Sequence, residues 1–160
     1  MSVEFVLLKL GMVIFLRIIN LKEENTYLED YVKLCSLEWG SPKSDDEVKE
    51  KVSSILSGDK VISVLGLVDD DTLIGFISLF KYDGDERRDL SPWYATMYVK
   101  NEFRGKGYSK LLNDAIINEA RNLGYSKIYL KTDLVNYYEK FGAKYIEDLE
   151  CGEKLYYIEL

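Results

Sequence analysis

Three consecutive segments between Trp93 and Lys131 constrain this chain more than any other part of it. WYATMYVK, from Trp93 to Lys100, is rich in β-branched and aromatic residues and reads as a strand. Tyr108 to Leu123 repeats apolar residues at helical spacing (Leu111, Leu112, Ala115, Ile116, Ala120, Leu123) and stops at Gly124, so it reads as a long amphipathic helix. KIYLK, Lys127 to Lys131, follows as a second strand. A strand, a helix and a strand at this spacing make a crossover, which joins parallel neighbours in a sheet. The connection between the first strand and the helix is Arg104-Gly105-Lys106-Gly107-Tyr108-Ser109.

The remainder of the chain adds antiparallel material around that crossover. Val13 to Ile19 reads as a first strand. Thr26-x-x-Glu29 has the form of a capping box opening a helix that carries Leu28, Tyr31, Val32 and Cys35 and ends at Gly40. Ser44-x-x-Glu47 repeats the signal for a second helix, with Val48, Val52, Ile55 and Leu56 on one face and Gly58 as its stop. Two helices in succession suggest a lid or wall. Lys60 to Val68 and Thr72 to Tyr82 form a hairpin about the Asp69 to Asp71 turn, and a polar loop runs from Asp83 to Pro92. A short helix is expected from about Leu134 to Phe141, ahead of the closing strands AKYIEDL and EKLYYIEL. At 160 residues the chain fits one domain. The expected class is α/β (α+β): a single mixed, mostly antiparallel sheet with helices on both faces.

The apolar start, MSVEFVLLKLGMVIFLRIINL, is interrupted by Glu4, Lys9 and Arg17, whereas a membrane span needs about 20 mostly uncharged residues. It also lacks the basic start and small-residue cleavage site of a secretory signal. Residues 1–11 are read as an extra strand, a partner-binding arm or an upstream extension of a domain covering residues 12–160. No membrane association is expected, and a cytoplasmic location is.

Charge and residue usage remove several function classes. With 28 acidic against 21 basic residues the net charge is −7, which opposes a large nucleic-acid interface and favours a small or cationic partner. There is no His, so Ser-His-Asp and Cys-His catalysis and the commonest metal ligand are absent. Cys35 and Cys151 lack CxxC spacing, and neither a metal site nor a disulfide framework is expected.

The glycine loop is where local composition departs from the whole. A diphosphate needs several backbone N–H donors converging on one point, and a glycine turn feeding a helix start supplies them with the favourable end of the helix dipole. Gly105 and Gly107 permit close backbone approach, Ser109 is small and carries a hydroxyl, and Arg104, Lys106 and Lys110 concentrate positive charge in an acidic chain. The alternative is a glycine-containing turn with solvated basic residues. Neither GxxxxGK[ST] nor GxGxxG is present, which disfavours a P-loop or a Rossmann dinucleotide site.

YVKNEFRGKGYSKLL and NYYEKFGAKY resemble two segments of the GCN5-related N-acetyltransferase (GNAT) superfamily. The first has that family's Arg/Gln-x-x-Gly-x-Gly/Ala loop as Arg104-x-x-Gly107-x-Ser109, with Ser109 in place of the usual Gly or Ala; the second is similar to its Phe-Tyr-Glu-Lys-x-Gly-Phe run. The order of elements from Met12 to Leu160 resembles the acyl-CoA N-acyltransferase fold. The resemblance implies acetyl-CoA as cosubstrate, no metal, and transfer of the acetyl group to a primary amine of a small molecule or peptide. A non-catalytic acyl-CoA-binding or regulatory domain, and a module that assembles through its apolar arm, are the alternatives.

Carried over residue by residue, the resemblance puts pantetheine against the backbone of Met97, Tyr98 and Val99, on a strand bulged away from its neighbour. It puts the pyrophosphate on Arg104, Gly105, Lys106, Gly107, Tyr108, Ser109 and Lys110. Tyr138 falls where the family has a tyrosine that protonates the departing sulfur, and its ordinary pKa of roughly 10 leaves it a proton donor at neutral pH. Glu38 and Trp39, with Asp83, Asp85 and Glu86, fall in the acceptor region, where acidity suits a cationic amine and Glu38 is a candidate base. A solvated charge cluster is the alternative reading of these residues. Many family members have an Asn where this chain has Lys131. The strand EKLYYIEL offers an edge through which a homodimer could pair.

Overall fold

The computed structural model describes residues 3–9, 11–42 and 44–160. Among them the strands are β1 (Val3–Lys9), β2 (Met12–Asn20), β3 (Val61–Asp69), β4 (Thr72–Phe80), β5 (Trp93–Val99), β6 (Lys127–Thr132), β7 (Lys144–Asp148) and β8 (Lys154–Glu159). The helices are α1 (Leu28–Trp39), α2 (Asp45–Ser57) and α3 (Tyr108–Asn122). The described strands form one sheet in the order β1-β2-β3-β4-β5-β6-β8-β7, antiparallel throughout except where β5 meets β6. Within this N-terminal stretch Val3–Lys9 form a strand: β1 lies along β2 with Val3 opposite Ile18 and Lys9 opposite Met12.

Both faces of the central strands are covered, which is why β3 and β4 read as nearly continuous apolar runs rather than alternating ones. On one face α3 packs Leu112, Ile116 and Ala120 against Leu65, Leu67 and Ile74. On the other, Leu28, Tyr31 and Val32 of α1 and Val48 and Ile55 of α2 meet Val64, Val68, Leu73 and Phe76. Full burial of a side chain such as Leu112 or Ile116 stabilises the fold by about 1.5–3 kcal/mol.

Two local expectations are corrected. The Thr26 capping box is not formed: α1 starts at Leu28 after a 3-10 turn, Asn25–Tyr27, with no side-chain cap. Burial of Tyr27 and Leu28 sets the entry of this helix instead. By contrast Ser44 does cap α2, its hydroxyl accepting from the Glu47 N–H at 3.3 Å. The helix expected over Leu134 to Phe141 shrinks to one 3-10 turn, Tyr138–Phe141. The Leu134 N–H is taken by the Thr132 hydroxyl at 3.0 Å, and Asn136 sits in the left-handed region at φ +58°, so no helix can start there.

Two irregularities beside β5 open the fold. Against β4, Phe76 pairs with Tyr98 and Ser78 with Ala95, so Thr96 and Met97 together oppose Ile77 alone. That is a β-bulge, with the extra residue on β5. Against β6, β5 is paired at one position only, Trp93 with Tyr129. Beyond Trp93 the two strands part, leaving a wedge between Met97 on one side and Leu130 and Lys131 on the other.

Candidate active site

The loop leaving β5 is tied back to the strand it comes from. The Arg104 Nε donates to the Val99 carbonyl at 2.8 Å, and the guanidinium lies 5.7 Å from the centre of the Tyr98 ring. Gly105 and Gly107 have φ of +72° and +82°. No atom lies within 4 Å of where a Cβ would stand on either, so the left-handed backbone and not crowding calls for glycine. Gly107 is the N-cap of α3 and supplies no side-chain cap. The first N–H groups of that helix therefore have no intrahelical acceptor, and Gly105, Gly107, Tyr108 and Ser109 line a cavity of about 430 Å³. Uncapped donors with the positive end of a helix dipole make an anion site. Lys106 lies 5.1 Å from the Phe103 ring centre and Lys110 pairs with Asp114 at 2.5 Å; neither lines the cavity.

A second cavity, of about 390 Å³, lies on the other side of the bulge, lined by Trp39, Asp83, Tyr94, Thr96, Leu130, Lys131 and Glu153 among others. Met97 and Tyr138 line both. The two chambers thus meet at two residues, Met97 on the bulged strand and Tyr138. Tyr94 donates its hydroxyl to the Met97 sulfur at 3.1 Å. The Tyr138 ring packs edge-on against Tyr94 at 5.6 Å and Tyr137 at 4.9 Å. Burial, with Tyr137 alongside, pushes the Tyr138 phenol up to about 12, so it stays protonated across the ordinary pH range.

The acceptor candidates divide by position. Trp39 and Asp83 line the second chamber, while Glu38 lines the first, with Met97, Tyr98 and Val99. Asp85 and Glu86 line neither: Asp85 pairs with Arg88 at 2.7 Å, and Glu86 accepts the Glu150 and Cys151 N–H groups at 2.9 and 3.0 Å, which fastens the 83–92 loop to the β7–β8 turn. Thr96, Glu153 and Tyr94 also line the second chamber, and no motif or spacing in the sequence signals them. Lys131, where many family members have an Asn, lines the same chamber, its ammonium 3.7 Å from Glu153. Among the described residues no group of acidic, Cys or His side chains is arranged to hold a metal ion. No helix there is long and apolar enough to cross a membrane.

Comparison with known proteins agrees with this fold. Residues 21–143 match the model of the acetyltransferase (GNAT) family. No curated protein sequence matches the chain. Solved structures do. An aminoglycoside 6'-N-acetyltransferase complexed with coenzyme A has a TM-score of 0.68 at 20% identity, over 89% of this chain and 96% of that one. An N-acetyltransferase from Staphylococcus aureus Mu50 has a TM-score of 0.67 at 19% identity, over 90% and 98%. PaiA N-acetyltransferase from Thermoplasma acidophilum, in complex with coenzyme A, has a TM-score of 0.59 at 19% identity, over 91% and 99%. At these identities the likeness is one of fold.

Proposed function

Because the chain belongs to the acetyltransferase (GNAT) family, we propose that it moves an acetyl group from acetyl-CoA to a primary amine of a small molecule or peptide. The observation that carries this reading is the junction of the two chambers at Met97 and Tyr138. The glycine-loop chamber is the donor side. Backbone N–H groups of Gly105, Gly107, Tyr108 and Ser109 take the pyrophosphate, with Arg104 held beside them by Val99. The chamber walled by Asp83, Glu153 and Trp39 is the acceptor side; with Lys131 paired to Glu153, Asp83 is the carboxylate left to draw a cationic amine.

At the junction the amine nitrogen, once neutral, bonds to the thioester carbon. The Met97 N–H stabilises the negative charge that builds on the carbonyl oxygen, an oxyanion-hole effect. The carbon–sulfur bond then breaks, its electron pair goes to sulfur, and Tyr138 supplies the hydrogen bond and proton that sulfur needs. Nitrogen then loses one proton, which returns the Tyr138 phenolate to its phenol, so the reaction balances without a metal or redox partner. Glu38 opens into the donor chamber, which leaves Asp83 and Glu153 as the carboxylates on the amine's side.

The test is a thermal midpoint with and without acetyl-CoA, followed by thiol release across a panel of amines. Ligand at about 100 times its Kd adds about 2.7 kcal/mol to the folded state. For a domain of this size that raises the midpoint by about 5–10 °C. No shift at saturating acetyl-CoA overturns the donor site. A shift with no thiol released on any amine favours a non-catalytic acyl-CoA-binding domain.

A further inference from the structure

Thr96 has φ +48° inside a strand. A β-branched residue in the left-handed region is a genuine outlier, and it persists only where its surroundings hold it. The holding groups are visible. The Thr96 hydroxyl donates to the Ser78 hydroxyl at 2.6 Å, and the Tyr31 hydroxyl lies 3.0 Å from the same oxygen. Ser78 is wholly buried and Tyr31 nearly so. Ser78 interrupts an otherwise apolar stretch of β4, Leu73 to Phe80, at a position where alanine would pack as well and a hydroxyl is costly unless bonded. Tyr31 is itself fixed edge-on against Phe76 at 4.7 Å, and Phe76 stacks on Tyr98 at 5.4 Å. A line of contact thus runs from α1 through β4 to the bulge of β5, and it ends on the residue that precedes Met97.

We propose that Tyr31, Ser78 and Thr96 are positioning residues for the transfer reaction: their joined hydroxyls hold the bulge in the form that keeps the Met97 amide at the junction of the chambers. The inference rests on the acetyl-transfer reading for its kinetic consequence, but its structural consequence stands apart from it. Ser78 touches neither chamber, so its effect must pass through Thr96.

The experiment compares Ser78→Ala, Tyr31→Phe, Thr96→Gly and the double variant Ser78→Ala/Thr96→Gly with the parent protein, at saturating acetyl-CoA and acceptor. Ser78→Ala is expected to lower kcat about 10- to 100-fold, the scale of an ångström-sized misplacement at a reacting centre. KM for acetyl-CoA and the midpoint shift it causes stay within about two-fold of the parent, because the pyrophosphate loop is untouched. Tyr31→Phe, which removes one of the two bonds to Ser78, lowers kcat by a smaller factor. Glycine adopts the left-handed region without an anchor, so on the Thr96→Gly background, whose own kcat is the reference because residue 96 lines the acceptor chamber, adding Ser78→Ala should cost less than about two-fold. If the hydroxyls only satisfy one another in the core, the variants lose midpoint with kcat intact, or Ser78→Ala lowers kcat as much on the Thr96→Gly background as in the parent. Either result overturns the proposal. A crystal structure of Ser78→Ala reads the same point without turnover: residue 96 leaves the left-handed region if the proposal holds, and an unchanged φ overturns it. A parent protein inactive on every amine would sink the acetyl-transfer reading and leave this structural outcome to be decided alone.

Discussion

Replacing Tyr138 by Phe removes one oxygen from a ring whose neighbours already hold it. Tyr94, Tyr137 and Phe141 surround the ring at centroid distances of 5.6, 4.9 and 6.4 Å. No side-chain or backbone group among the described residues bonds its hydroxyl, so the fold should lose less than about 1 kcal/mol. The catalytic cost can be bounded from the phenol's acidity. Burial raises it to about 12, whereas a free thiol titrates near about 8.5. Complete proton transfer from Tyr138 to a free thiolate would then run uphill by about 3.5 pH units, or roughly 5 kcal/mol. On the proposed mechanism Tyr138 would therefore act chiefly as a hydrogen-bond donor to sulfur as charge develops, giving up its proton only as another proton leaves the nitrogen. That puts the expected loss near the lower end of general-acid effects, about 10²-fold in kcat. The assay is thiol release at saturating acetyl-CoA and amine. KM for acetyl-CoA and the thermal midpoint should barely move. In the parent enzyme, Tyr138 produces no falling alkaline limb of kcat below about pH 11, and the rise at lower pH follows the acceptor amine. A Phe variant with parental kcat refutes the role. A kcat loss in step with a fallen midpoint assigns the effect to packing.

Gly107→Ala must place a side chain at φ +82°, at a cost of about 1–2 kcal/mol even though the space is open. Its expected signature is a raised KM for acetyl-CoA with kcat at saturation preserved; an unchanged KM would dissociate the helix start from donor binding. Arg104→Lys loses the planar fork that meets the Val99 carbonyl at 2.8 Å. KM for acetyl-CoA should rise about ten-fold, or about 1.4 kcal/mol, and an equal KM would show that charge alone suffices. Alkali should destabilise the fold, because burial raises the pKa values of Tyr31, Tyr94 and Tyr138 above their unfolded value of about 10. Above that pH the unfolded chain has released protons that the native state keeps. Stability is then full below about pH 9 and falls by up to about 1.4 kcal/mol per pH unit for each such tyrosine. Denaturant titrations from neutral pH upward check this, and a flat profile would mean that these phenols ionise freely in the folded state.

What could be read in the sequence follows the range of the forces involved. The Ser44 cap, the face of α3 from Leu112 to Ala120 and the glycine turns at Gly105 and Gly107 are set by residues within a few positions of one another, and each is found where periodicity and turn chemistry put it. The Thr26 box failed because a stronger distant term, burial of Tyr27 and Leu28 against the sheet, decided where α1 begins. The helix expected before Phe141 failed for a local reason that periodicity overlooks: the Thr132 hydroxyl competes for the Leu134 N–H and Asn136 takes a left-handed backbone. The positive φ of Thr96 has no sequence signal, since threonine is among the residues least suited to it. Only the pairing of β5 with β4 and the hydroxyls of Ser78 and Tyr31 account for it.

The same distinction separates the two halves of the cleft. Most of the donor chamber is built by one unbroken segment, from Met97 through Ser109, which runs off a strand, turns on two glycines and enters a helix. Everything that makes it an anion site is a property of adjacent backbone groups, so a short motif can announce it. The acceptor chamber is assembled from Trp39 at the end of α1, Asp83 in the loop after β4, Thr96 on β5, Lys131 on β6 and Glu153 just before β8. No two of those residues are near in sequence, and each becomes a wall only because β5 and β6 part after Trp93. If that segment takes the diphosphate as proposed, a substitution in it must respect the backbone geometry that the diphosphate needs. A substitution at Asp83, Lys131 or Glu153 alters charge in the acceptor chamber while leaving every backbone hydrogen bond of the sheet in place. On the proposed reading the fold can therefore hold one donor site constant while the acceptor changes, and acceptor specificity is to be sought by exchanging those three side chains rather than by altering the loop.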